Sequence, residues 1–356
     1  MKKHAIIPIF IPHRGCPHDC VFCNQRKITA RSADVTPADA EKIIEEYLAT
    51  LEGRGLLSIE VAFFGGSFTG IPLEEQSAFL AVAKKYKDSG RIDAIHLSTR
   101  PDYINREILD NLRAYGVDVI ELGVQSFDEE VLRLSKRGHS AADVEGACRL
   151  IHEYGFTLGI QLMVGLPGDS REACIESAKK AVALGPAIAR IYPTVVIEGT
   201  ELADMYKAGA YKALSTEEAV DISKDMYRIL AGAGVNVIRI GLKNTDIIND
   251  GGPDSAVLAD YHPSFRQLVE SELAREAMEA AVAQAFPEGA PPAGTKMRCF
   301  AAPRLVSALS GYRGRNRRDI AERYPGLDPA FLPDPSLGDP QFRFEFEPPA
   351  EERNAE

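Results

Sequence analysis

No stretch of this 356-residue chain approaches the roughly 20 consecutive apolar residues that a membrane-spanning helix requires, so no bilayer-spanning segment and no membrane partner is expected. The opening Met1-Lys2-Lys3-His4, followed by the apolar run to Ile11, is too short for a secretory signal with a cleavage site. It reads as a first strand, and the expected location is cytoplasmic. Positive charge is in short supply: 41 Lys and Arg against 52 Asp and Glu give a net charge of −11. That excludes a wholly basic protein that coats nucleic acid, though not a local basic patch. Cysteine is scarce too. Six residues, Cys16, Cys20, Cys23, Cys148, Cys174 and Cys299, are too few for a secreted disulfide scaffold. Cys148 and Cys174 fall in helical patterns and Cys299 in a strand pattern, where a free thiol behaves as a small buried hydrophobe. The remaining composition, 45% hydrophobic and 26% charged, suits a globular enzyme with one large domain and a small one.

Strand and helix patterns alternate as far as residue 240. Strands are expected at 5–11, 58–64, 94–98, 118–123, 156–163, 189–196 and 236–240, each short, apolar and rich in β-branched residues, as buried parallel strands are. Helices are expected between them, at 72–86, 105–115, 141–154, 171–184 and 216–231. The clearest helix start is Thr36-Pro37-Ala38-Asp39: a hydroxyl cap, proline at the first helical position and an acid in the first turn. This order predicts an α/β fold, a partial (β/α)6-type TIM barrel with its active site at the C-terminal strand ends. The pattern breaks at Asn249-Asp250-Gly251-Gly252-Pro253-Asp254. The expected domains are a barrel over 1–250, a linker and long helix over 251–294, a small basic α+β module over 295–347 and a disordered acidic tail over 348–356. From Pro325 onward the chain is expected to be largely irregular, apart from a last strand at 341–346.

Gly15-Cys16-Pro17-His18-Asp19-Cys20-Val21-Phe22-Cys23 follows the first strand directly. In this C-x3-C-x2-C spacing, three thiolates on one compact loop can ligate three irons of a [4Fe–4S] cubane. The fourth iron is then left without a protein ligand. Phe22 is placed to pack beside the cluster. The competing reading is a zinc site that adds His13 or His18, but zinc loops more often use two separated pairs and no second pair follows.

These residues resemble the radical SAM superfamily, most closely the radical SAM half of the elongator complex catalytic subunit, over residues 4–240. The oxygen-independent coproporphyrinogen oxidases and the methylthiotransferases are more distant likenesses. The resemblance implies an enzyme that cleaves S-adenosylmethionine (SAM) reductively to a 5′-deoxyadenosyl radical, with Cys16, Cys20 and Cys23 as metal ligands and a donor such as flavodoxin or ferredoxin. It also implies a series of SAM contacts at strand ends. Gly65, Gly66 and Ser67 lie in Phe63-Phe64-Gly65-Gly66-Ser67, where the elongator-like branch also has a hydroxyl residue after the glycines. Thr99 and Arg100 lie in Ser98-Thr99-Arg100-Pro101-Asp102. Gln125 is assigned to the ribose, Arg137 to the carboxylate, and Met163, opening Met163-Val164-Gly165-Leu166-Pro167-Gly168, to the adenine border. Tyr192 is either a substrate-facing residue or a core aromatic. His139 reads as an N-cap neighbour, and no catalytic residue is assigned.

Beyond the barrel no glycine-rich acetyl-CoA loop is found, so acetyl transfer is not carried over. Ser310-Gly311-Tyr312-Arg313-Gly314-Arg315-Asn316-Arg317-Arg318 instead places a Gly-x-x-Gly between two short helices after a strand. That order resembles a KH module, whose loop clamps nucleic-acid backbone. Gly311, Arg313, Gly314, Arg315, Arg317 and Arg318 are the candidate RNA contacts, alongside Lys296, Arg298, Arg304 and Arg323. A solvated basic helix is the plainer alternative. Three readings follow: a radical SAM enzyme that modifies tRNA or rRNA, a radical SAM enzyme acting on a small molecule as the coproporphyrinogen oxidases do, and a non-enzymatic Fe–S or zinc adaptor. The three remaining cysteines lack an auxiliary-cluster spacing, which argues against sulfur insertion.

Overall fold

The computed structural model describes residues 4–11, 16, 20–24, 35–245, 247–249 and 255–349. His13, His18, the remainder of the loop before Cys20, the glycines at 251–252 and the acidic end from 350 lie outside the described residues. Seven strands form one sheet: β1 (His4–Ile11), β2 (Ser58–Gly65), β3 (Ala94–Thr99), β4 (Val119–Gln125), β5 (Thr157–Val164), β6 (Ile188–Pro193) and β7 (Asn236–Ile240). They lie in sequence order with every neighbouring pair parallel. Parallel neighbours require crossovers, supplied by α1 (Pro37–Leu51), α2 (Leu73–Asp88), α3 (Arg106–Ala114), α4 (Glu129–Leu134), α5 (Ala141–Glu153), α6 (Arg171–Ala183), α7 (Glu201–Lys207) and α8 (Thr216–Gly232). β1 and β7 do not pair, so the sheet is a curled half-barrel with an open side.

Local chemistry starts the helices. Thr36 accepts from the Asp39 amide while the Asp39 carboxylate takes the Thr36 N–H at 2.9 Å, a capping box reinforced by Pro37. The same box recurs at Ser140 with Asp143, which makes His139 the residue before an N-cap, and at Ser215 with Glu218. Alternate strand residues point to opposite faces. Ile7, Ile9, Val61, Ile95, Ile120 and Ile160 lie in the core against the helices. The residues between them, among them His96, Glu121, Gln161 and Arg190, face the concave side.

The 21-residue helix α9 (Phe265–Ala285) belongs to two cores. Val269 and Leu273 pack into the barrel core, whereas Ala274, Met278 and Val282 pack into a second core built on β8 (Thr295–Ala301). In that second unit β8 is central, flanked by β9 (Leu327–Pro333) in parallel and β10 (Phe342–Glu347) antiparallel, with α10 (Val306–Ser310) and α11 (Arg315–Arg323). The strand β9 corrects the expectation of irregular chain after Pro325. Its prolines are accommodated because β9 is an edge strand, where a missing N–H leaves no ladder bond unmade. The side chain of Lys224 is 4% exposed; its ammonium donates to Asp221 at 2.7 Å and to Glu276, and Arg171 and Arg228 close the network around Asp225 and Glu276, tying α6, α8 and α9 together. No helix among the described residues is long and apolar enough to cross a membrane. Cys148, Cys174 and Cys299 are buried.

Candidate functional site

The ends of β2, β3, β4 and β5 and the cysteine loop surround one cavity of about 110 Å³. Cys16, Cys20, Phe22, Cys23, Gly65, Gly66, Ser67, Thr99, Arg100, Gln125 and Arg137 all line it, so the motifs separated in sequence come together in space. Met163 does not line it and sits half-buried, two residues past the lining Gln161 toward the C-terminal end of β5. Three residues not singled out from the sequence also line the wall: Ser98, Gly123 and Gln161.

The cysteine loop is anchored away from its own strand. The Val21 amide donates to the Ser135 carbonyl at 3.2 Å, and the Val21 carbonyl accepts from the Leu202 amide at 2.7 Å. Val21 is buried with Val196, Leu202 and Tyr211, and Phe22 packs against the same cluster. Cys16 Sγ lies 3.4 Å from the Ser67 hydroxyl, and Cys20 Sγ accepts from Arg137 Nη1 at 3.1 Å. Among the described residues no three His, Cys, Asp or Glu side chains are drawn tightly enough to hold one metal ion. A cubane bonds each cysteine through a different iron and spreads the sulfurs wider than a single zinc does. The donor set, three thiols around one cavity, fits a cluster in which each cysteine takes a different iron.

Gly65 has φ +110, and a Cβ there would stand 3.0 Å from the Ile11 carbonyl oxygen. The adjacent Gly66 amide donates to that same oxygen at 2.8 Å. The close approach that requires glycine at position 65 is thus to the end of β1. Thr99 is engaged as well. Thr69 Oγ1 donates to the Tyr103 carbonyl at 2.9 Å, so in the 2.6 Å contact between the two hydroxyls Thr99 is the donor.

Gln125 carries the clearest mark of function. It follows an irregularity in the β4–β5 ladder and holds φ +72, a conformation costly for a non-glycine residue. Its side chain is buried, and Oε1 has no hydrogen-bond partner. Two buried guanidinium groups share the cavity. Arg137 donates through Nη2 to the Gly123 carbonyl at 2.5 Å; Arg100 donates to the Arg137 carbonyl and pairs with Asp102 at 2.9 Å. Arg137 Nε and Arg100 Nη1 are buried without a partner. Orphaned buried polar atoms of this kind are rare and suggest a missing polar ligand. Two cationic groups against one carboxylate suit a ligand with its own carboxylate. His139, held to the Val124 carbonyl at 3.2 Å, is pushed down to about 4 by burial and by the charges of Arg137 and Arg100, so it is neutral at pH 7.

Beneath the cavity, Gln161 donates to Glu121, which is fully buried. Arg190 Nε donates to Glu121 at 2.9 Å, and His96 Nε2 lies 3.3 Å away in a charge contact. Burial would raise the Glu121 carboxyl, but Arg190 and His96 outweigh it and hold it at about 2. Burial would likewise lower His96; Glu121 and Glu60 outweigh that and raise it.

In the second unit, the Gly-x-x-Gly turn has an internal explanation. Gly311 (φ +78) packs where a Cβ would lie 2.6 Å from the Asn316 amide, and Arg313 and Gly314 also hold positive φ. Half of the basic run is matched in space: Arg298 pairs with Glu347, Arg304 with Glu270 and Asp339, Arg315 with Glu217 and Asp319, and Arg323 with Glu279. Arg313, Arg317 and Arg318 have no acidic partner among the described residues. Apart from Asp319, four residues beyond Arg315 on α11, these acids come from other elements.

A profile described as the radical SAM superfamily matches residues 10–181, and one described as the Radical_SAM C-terminal domain matches residues 186–275. An uncharacterized protein of Methanocaldococcus jannaschii is 30% identical over 61% of this chain and 69% of its own length. The tRNA uridine(34) acetyltransferase of Methanocaldococcus infernus is 29% identical over 61% of this chain and 48% of that protein. Human elongator complex protein 3 is 28% identical, with coverages of 62% and 47%. The chain thus spans about half the length of these last two relatives. The structure of the archaeal Methanocaldococcus infernus Elp3 shares the fold, with a TM-score of 0.58 and 23% identity over 83% of this chain and 71% of that one. With matched segments running from residue 10 to 275 and a cavity lined by three cysteines, the chain belongs to the radical SAM superfamily, an enzyme family whose cofactors are a [4Fe–4S] cluster and SAM.

Proposed function

We propose that Cys16, Cys20 and Cys23 hold the cluster and that the enzyme uses SAM to modify RNA, a tRNA uridine in the first instance, in the cytoplasm. The observation that carries the reading is the single cavity that gathers the cysteines, the Gly-Gly turn, Gln125 and two buried arginines with unmet N–H groups. Bound there, the cluster and SAM supply one-electron cleavage of the sulfonium bond to a 5′-deoxyadenosyl radical, with the electron from a flavodoxin- or ferredoxin-type donor. The chain's own part is positioning. Arg137 Nε and Arg100 Nη1 hold the SAM carboxylate, the Gln125 amide oxygen accepts from the ribose, and Phe22 excludes water beside the cluster. The RNA substrate rests on the names of the tRNA-modifying relatives.

With dithionite, the reconstituted enzyme releases 5′-deoxyadenosine even without its substrate. Gly66→Val blocks SAM binding while iron content stays intact, because a branched side chain intrudes into the cavity wall. Normal SAM affinity in that variant, measured by equilibrium dialysis, would remove the Gly-Gly turn from the site.

For RNA, the ion pairs refine which residues matter. Replacing Arg313, Arg317 and Arg318 together by Ala flattens the salt dependence of RNA affinity by about 2 in d log K/d log [salt], at roughly 0.7–0.9 per phosphate contact. Arg323→Ala leaves the slope where it is, since that guanidinium is already paired with Glu279. Absence of RNA binding at low salt in the parent sinks the RNA reading. The small-molecule reading would then stand, and the pairing of four basic side chains with acids is the observation that favours it.

A further inference from the structure

The concave face of the half-barrel carries charge that the SAM cavity does not use. Ala189 and Ile191 lie in the core with the helices, so Arg190 and Tyr192 face inward. Arg239 on β7 is the register partner of Arg190 and shares that face. Arg190 is 7% exposed and spends Nε on Glu121 and Nη1 on the Tyr192 hydroxyl at 3.4 Å; its Nη2 has no partner. Its guanidinium lies 5.0 Å over the Phe64 ring, which fixes its plane. Arg239 has no acidic partner among the described residues. Glu60 is shared by His96 at 3.3 Å and His4 at 3.4 Å, and Glu121 by Arg190 and His96, so neither carboxylate is left over for Arg239 and its positive charge remains.

Arginine does not deprotonate to relieve such an imbalance, and an unmatched charge at a largely buried face is costly. The Tyr192 oxygen accepts from Arg190, which leaves its own O–H to donate. Phe64, Met163, Tyr192 and Arg239 are only half-buried, so the face is reachable from the open side of the sheet.

We propose that this face, with Arg190, Arg239 and Tyr192 as donors, binds the carboxylate of a small co-substrate, used alongside the RNA, in the barrel beside the SAM cavity. A carboxylate carries the one negative charge that the excess calls for and matches the planar arginine fork. A phosphate monoester carries about −1.5 to −2 at neutral pH and overshoots it. In the function proposed above, SAM's own carboxylate is served by Arg100, just past β3, and Arg137, between α4 and α5. The placement beside SAM rests on the function proposed above; the charge balance does not.

The test is arginine modification by phenylglyoxal, mapped by peptide mass spectrometry on the anaerobically reconstituted full chain. Acetate slows modification of Arg239 roughly tenfold, the protection expected at about ten times its Kd, and leaves Arg313 unaffected. Chloride at equal ionic strength gives no such protection. Acetate also raises Tm, and Arg239→Gln loses that shift while Arg239→Lys keeps part of it. Equal protection by chloride, stronger protection by inorganic phosphate than by acetate, or an undiminished acetate shift in Arg239→Gln would each overturn the proposal. Failure of the radical SAM reading shows elsewhere, as absence of 5′-deoxyadenosine, and does not alter the modification map.

Discussion

Replacing Cys16, Cys20 or Cys23 by alanine, one at a time, reduces the iron recovered after anaerobic reconstitution from about four per chain to near none, because each thiolate bonds a different iron. The reduced EPR signal and its change on adding SAM disappear with it. Cys148, Cys174 and Cys299 are the internal controls. All three are buried away from the cavity, and burial pushes the Cys148 and Cys299 thiols up to about 12, so none offers a thiolate near neutral pH. Alanine at these three positions leaves the iron content unchanged. Loss of iron in Cys299→Ala would show that the ligand set is wrong.

The second large effect falls on stability. Glu121→Gln leaves Arg190 and His96 buried without their shared carboxylate, and breaking a buried ion pair of this kind costs about 3–5 kcal/mol. In a unit of this size that corresponds to roughly 10 °C in Tm. The pH dependence has a definite sign. The Glu121 carboxyl is held at about 2 in place of its ordinary 4.5, which contributes about 3 kcal/mol. That contribution is complete above pH 4.5 and is lost as pH falls through about 2. The gap in Tm between the parent and Glu121→Gln is therefore widest at neutral pH and closes in acid. A gap that stays constant from pH 7 to pH 3 would show that the carboxylate charge contributes nothing. His96 has the opposite sign. Its pKa is raised in the fold, so its contribution is complete below the ordinary histidine value and is lost as pH rises through the folded one.

The strands were legible because buried parallel strands are short runs of Ile, Val, Leu and Phe. All seven barrel strands lie where those runs do, and their ends differ from the expected positions by a few residues at most. The cavity was legible for a related reason: the residues that line it sit where such runs stop. The concave network was not. Glu60, His96, Glu121, Gln161 and Arg190 occupy alternate positions within strands read as uniformly apolar, and that alternation was the overlooked signal. The short helices α4 and α7, six and seven residues long, give too few turns for a helical period to show. The Gln125 conformation leaves no trace in sequence, since positive φ in a non-glycine residue is imposed by its surroundings.

The ionic staple around Lys224 bears on how binding measurements read. A hinge held by exposed charges would loosen as ions screen them, and affinity would then fall for two reasons at once. Lys224 is almost wholly enclosed while its partners Asp221 and Glu276 are half and a third exposed, so salt screens this staple only in part. On either side of it, α9 is gripped by apolar side chains in both cores. The angle between the barrel and the second unit therefore holds across a salt titration, and the slope of such a titration counts ions displaced by a polyanion instead of recording a joint coming undone.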